Sequence, residues 1–162
     1  MKKNLLSLLL IPIVLSCSSG SNKQDSPENN KSEVVQEQSN FFTDYLALKD
    51  ALVKTNATEA SKAAQEFAAS FQKEVSNESI IDAARSIAVS TDVEAQRTAF
   101  KVITDGLIEH VKSGESDGTI YVQYCPMAFN NTGASWLSDS QEIFNPYFGD
   151  KMLKCGSVKE KI

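Results

Sequence analysis

The stretch "NATEASKAAQEFAASFQKEV", Asn56 to Val75, decides how the chain is read. Ala60, Ala63, Ala64, Phe67, Ala68 and Phe71 recur at three- and four-residue steps, which places them on one stripe of an α-helix. Asn56 followed by Glu59 has the pattern of a capping box, so the helix is expected to begin just after Asn56. Alanine dominates the stripe, and small side chains let a neighbouring helix approach closely.

The same grammar runs outward on both sides. In "FFTDYLALKDALVK" the apolar positions Phe42, Tyr45, Leu46, Leu52 and Val53 form a stripe. "SIIDAARSIAV" gives a shorter helix through Ile80, Ile81, Ala84, Ile87 and Ala88. Thr91 with Glu94 is expected to cap a fourth, "DVEAQRTAFKVITDGLIEHVK", with Val93, Phe100, Ile103, Leu107 and Val111 inward. The connections are short, so consecutive helices should run antiparallel, as in an up-down bundle.

After Lys112 the pattern changes. "SGESDG" reads as a loop and "TIYVQY" as a short strand, β-branched and aromatic in alternation. The remainder, "CPMAFNNTGASWLSDSQEIFNPYFGDKMLKCG", has five aromatic residues and no long period. Such a segment is compact only if its aromatics dock, and Trp136, Tyr147 and Phe148 are expected to anchor it to the bundle. Asn145-Pro146 and Phe148-Gly149 mark turns, and Gly133 after Asn130-Asn131 suggests a hairpin reversal. The expected fold is therefore mainly α: an antiparallel up-down four-helix bundle, with a short, partly β, aromatic-rich C-terminal motif packed on it.

The chain opens "MKKNLLSLLLIPIVLSC", two lysines and an apolar run ending at Ser16-Cys17. The run is shorter than the roughly 20 residues that span a bilayer, so it reads as a targeting segment. Val14-Leu15-Ser16-Cys17 resembles a bacterial lipobox, which makes residues 1–16 a lipoprotein signal peptide and Cys17 the lipidated first residue. A plain secretory signal cut after Ser16 is the alternative. Residues 17–40 hold Cys17 and a polar tether without aromatics, too poor in apolar residues to fold alone. The tether reaches about 25 Å as a random coil. Residues 41–162 are left for one domain with a single core. By analogy with enterobacterial sorting, Ser18 after the cysteine implies a protein held in the outer membrane and facing the periplasm, with its membrane contact through the lipid on Cys17.

Removal of Lys2 and Lys3 with the signal leaves 14 basic against 21 acidic residues, a formal net charge of −7. Nothing in that balance offers a footprint for nucleic acid. No phosphate loop, nucleophile elbow or His-Glu-x-x-His zinc motif is present. A dyad of His110 with a cysteine would lack any visible oxyanion device, so the sequence does not read as an enzyme.

Four motifs carry a family resemblance: Tyr124 to Ala128, Gly133 to Ser138, Ile143 to Gly149 and Lys151 to Gly156. They are similar to the C-terminal signature of the domain of unknown function numbered 3347. The resemblance covers about residues 41–158, more closely in the tail than in the helices. That family occurs in small exported bacterial proteins and on periplasmic adaptors of copper/silver-type heavy-metal efflux systems. The resemblance therefore implies heavy-metal binding and an efflux adaptor or other envelope protein as partner.

Cys125, Met127, Met152 and Cys155 are soft sulfur donors, a set that favours Cu(I) or Ag(I) over hard cations. Cys125 and Met127 would share a face if the backbone between them were extended, and Met152 and Cys155 would share one side of a helical turn. A four-sulfur site closed by the tail is the expected metal centre. His110, the only histidine, is read as a packing or capping residue near a helix C-terminus, and as a fifth ligand only if the tail covers that end. The alternatives stay open: a Cys125–Cys155 disulfide with the methionines as packing, making a stapled, metal-free interaction module; a pair cycling between disulfide and Cu(I) site; or two inert buried thiols.

Overall fold

The computed structural model describes residues 40–114 and 119–162. The expected signal peptide, Cys17 and the tether lie outside the described residues, as does most of the Ser113–Gly118 loop.

Four helices follow one another: α1 Asn40–Val53, α2 Ala57–Glu74, α3 Glu78–Val89 and α4 Val93–Ser113. Their starts are set by side-chain caps. Asn56 Oδ1 accepts from Glu59 N at 3.0 Å, and the Asn56 amide reaches back to the Glu59 carboxylate at 3.2 Å. Asn77 caps α3 in the same way. For α4 the cap is Asp92, whose Oδ1 accepts from Glu94 N at 2.9 Å, not Thr91 as the spacing suggested.

Neighbours in sequence pack against each other, α1 on α2, α2 on α3 and α3 on α4, as the short connections require. Their core is aromatic at its centre. Tyr45 stacks on Phe100 with ring centroids 5.2 Å apart, and Phe67 on Phe71 at 5.4 Å. Phe41, Leu48 and Ala51 are buried besides the expected Phe42, Tyr45 and Leu52, whereas Leu46 and Val53 are half-buried. The stripe on α1 is thus wider than its alternation suggested. Buried Gln96 donates to the carbonyls of Ala57 at 2.9 Å and Ser90 at 2.8 Å, tying the start of α2 to the end of α3. No helix among the described residues is long and apolar enough to cross a membrane.

The tail forms a three-stranded antiparallel sheet, β1 Tyr121–Cys125, β2 Ala134–Ser138 and β3 Ser157–Lys161, in the order β2-β1-β3. β1 and β2 are a hairpin, pairing from Tyr121 with Ser138 to Cys125 with Ala134. Its connection turns left-handed at Phe129, Asn130 and Asn131, with φ of 51°, 56° and 68°. Asparagine tolerates that region better than most side chains, which accounts for the Asn-Asn at the reversal. β3 pairs with β1 across a bulge at Val122/Gln123 and is exposed along its length.

β2 packs on α4. The N–H of Leu137 donates to Tyr45 Oη at 3.0 Å and Tyr147 Oη donates to the Ser135 carbonyl at 2.6 Å, so two tyrosine hydroxyls occupy its outer backbone groups. A second tie is Arg97, 1% exposed. Its guanidinium donates to the carbonyls of Pro146 at 2.8 Å and Leu52 at 3.2 Å and to Thr55 Oγ1 at 3.1 Å, and pairs with Glu94 at 2.8 Å. One buried cation thereby joins the C-terminus of α1, the N-terminal part of α4 and the Asn145-Pro146 turn. Gly149 fits into the same junction with φ of +54°; a Cβ there would lie 2.3 Å from Thr55 Oγ1. Only glycine combines that backbone with that approach. The described core draws on residues from Phe41 onward.

Candidate functional site: a dithiol at the end of the sheet

Cys125 is the last residue of β1, and Cys155 lies two residues before β3 begins. Because β1 and β3 run antiparallel with Tyr124 opposite Ser157, the two cysteines meet at one end of the sheet. Both are free thiols, with Sγ atoms 2.8 Å apart. Cys125 is fully buried and Cys155 half-buried.

The backbone around Cys155 is held on both sides. Its N–H donates to the Met152 carbonyl at 3.0 Å, and its own carbonyl accepts from Asn145 Nδ2 at 2.8 Å. Asn145 is itself buried, and its Oδ1 accepts from Tyr147 N at 2.8 Å. The turn expected at Asn145-Pro146 therefore positions a thiol as well as reversing the chain. Trp136 is fully buried; its indole edge lies against Gly156, next to Cys155, and its ring meets that of Tyr147 at 6.1 Å. Phe148 is half-buried.

The thiol of Cys155 is pushed up to about 11, first by its hydrogen bond to Cys125, then by burial and by the charge the neighbouring thiol would carry. Near neutral pH it remains protonated. A metal or an oxidant must displace that proton before it can take the sulfur.

The methionines are arranged differently from the sequence expectation. Pro126-Met127 turns immediately after β1, and Met127 has φ −89° and ψ −10° rather than an extended backbone. Cys125 is buried while Met127 is 47% exposed, so the two sulfurs do not share a face. Met152 follows the single helical turn Gly149–Lys151 and brackets a β-turn with Cys155 instead of sharing a helical turn with it. Met152 lies in the same tight turn as Cys155 and is half-buried.

His110 is engaged elsewhere. Its ring lies 5.9 Å from Phe41 and 6.3 Å from Phe71, centroid to centroid. The tail meets α4 at Arg97, thirteen residues earlier, and again just past His110 through the Lys112–Glu160 ion pair, at the end of β3 away from Ser157 and the thiols. The structure does not bring the imidazole to the thiols.

Two thiolates can hold a soft cation. With metal–sulfur bonds of about 2.3 Å, the sulfurs of a bound pair stand roughly 4 Å apart, so Cys125 and Cys155 would part by about 1–2 Å to admit one. A disulfide of about 2.05 Å needs them to approach by less than about 1 Å. Among the described residues no group of three or more His, Cys, Asp or Glu side chains could hold a metal ion.

The fold and site define a small four-helix domain capped by a sheet that carries a vicinal thiol pair. Residues 41–118, the helical part of the chain, match the sequence model of a family described as "Protein of unknown function (DUF3347)". The match falls on the helices and stops before β1, whereas the sequence resemblance rested chiefly on the tail motifs. No curated protein and no solved structure is matched.

Arg97 is the residue that sequence reasoning missed. A charged side chain three residues before Phe100 in an amphipathic helix reads as solvated, and only Glu94 at i−3 hinted at a fixed guanidinium.

Proposed function

We propose that this is a lipid-anchored protein of the cell envelope that binds a soft metal ion, Cu(I) or Ag(I), through the thiolates of Cys125 and Cys155, for sequestration or for transfer to an efflux system. The observation that supports this reading most is the 2.8 Å approach of two thiols from positions 30 residues apart. Met152, in the Cys155 turn, is the candidate third donor. Met127 and His110 stand outside this ligand set. The lipobox-like Val14 to Cys17 supports the anchor, and Ser18 supports the periplasmic face of the outer membrane. A heavy-metal efflux adaptor is the proposed recipient, and the protein acts as a carrier rather than an enzyme.

A second reading is favoured by the complete burial of Cys125 and the outward position of Met127. In it the pair is a disulfide staple and the domain a metal-free interaction module. The two readings part on one experiment. Reduced protein titrated with Cu(I) against a competing chelator takes up one ion per chain in the first, and none in the second.

A further inference from the structure

Both thiols are equally near each other, yet they are not equally near solvent. Cys125 ends a central strand and has no exposed surface, while Cys155 sits half-buried in a turn after Met152. Any reagent arriving from outside meets Cys155 first. We propose that the two cysteines form a thiol–disulfide exchange couple with a fixed order, in which Cys155 reacts with a small-molecule disulfide and Cys125 resolves the product.

The chemistry balances without further components. Cys155 gives its proton to solvent, and the thiolate attacks one sulfur of a small disulfide R–S–S–R. The old S–S bond breaks, a Cys155–S–S–R bond forms, and RS⁻ leaves and takes up a proton. Cys125, after losing its proton, attacks Cys155 Sγ, and the second RSH departs as Cys125–Cys155 closes. Two protein thiols are oxidised and one small disulfide is reduced to two thiols. The 2.8 Å approach means the second step needs little chain movement.

Closure consumes both sulfurs, so oxidation would shut the metal site. That consequence rests on the metal reading; the order of attack does not, and is tested without metal. The test uses residues 18–162, which omit Cys17, treated with oxidised glutathione and followed by intact mass. Wild type should lose two hydrogens and retain no glutathione. C125S should hold one glutathione on Cys155, and C155S should react at least about tenfold more slowly. In urea the two variants should react at similar rates, and C125A should repeat the behaviour of C125S. A C155S variant that reacts as fast as C125S under native conditions, with native circular dichroism, would overturn the order. So would a wild-type protein that keeps glutathione instead of closing.

Discussion

The guanidinium of Arg97, buried in the N-terminal half of α4, donates to the carbonyl of Pro146 at 2.8 Å, and through it the bundle fixes the turn that holds Cys155. The chain of contacts is short. Arg97 holds Pro146, Asn145 before it donates to the Cys155 carbonyl, and Cys155 meets Cys125.

Replacing Arg97 with leucine should cost about 3 kcal/mol, because the carbonyls of Leu52 and Pro146 lose a buried donor. Urea unfolding measures it. The variant should also expose Cys155, so its reaction with a thiol reagent should accelerate; unchanged reactivity would mean that the tail is held by other contacts.

Gly149 tests the same junction from the other side. Gly149→Ala places a methyl against Thr55 Oγ1 at 2.3 Å and the Val53 carbonyl at 2.9 Å, on a backbone with φ of +54°. A loss of about 2 kcal/mol or more in urea is expected. A neutral substitution would contradict the packing described.

Stability should fall in alkali through Cys155. Its thiol rises from an ordinary value of 9.0 to about 11 in the folded chain, so between those values the folded state binds more protons than the unfolded state. The stabilisation is present below pH 9 and is lost as pH rises through about 11. Burial also raises Tyr45 and Tyr147, which adds to the loss at higher pH. The urea midpoint of reduced wild type should therefore drop more steeply than that of C155S between pH 8 and 11.

The methionines separate packing from coordination. Met127→Leu should leave both stability and Cu(I) affinity unchanged, since Met127 is 47% exposed. Met152→Leu conserves volume and should keep stability within about 1.5 kcal/mol. It should weaken Cu(I) binding about tenfold, or roughly 1.4 kcal/mol, if its thioether is the third donor. Unchanged affinity would leave the dithiol as the whole protein site.

The helices were legible in the sequence because each had to bury a stripe, and the stripe is written in Ile80, Phe67 or Leu107 directly. The hairpin was legible in the Asn-Asn-x-Gly reversal. β3 was not, because "SVKEK" is exposed throughout and owes its extension to pairing with β1 rather than to burial. The cysteines were legible as a pair by residue type. The geometry of the methionines was not, because Pro126-Met127 turns where an extended chain was expected, and no spacing rule reports which way a turn sends its side chains.

If the pair closes, a loop of about 30 residues is cross-linked, and oxidised protein should be about 3–4 kcal/mol more stable than reduced protein. Trp136, the one tryptophan, lies beside Gly156 and gives a fluorescence signal for either change at the thiols.

The most direct measurement is a Cu(I) titration of residues 18–162, fully reduced and competing with a chelator of known affinity, beside C125S and C155S. The account predicts one tightly held Cu(I) per chain, with uptake released by acid and abolished in either variant. No uptake by the reduced wild type, or equal uptake by the variants, would contradict it and leave Cys125 and Cys155 as a staple.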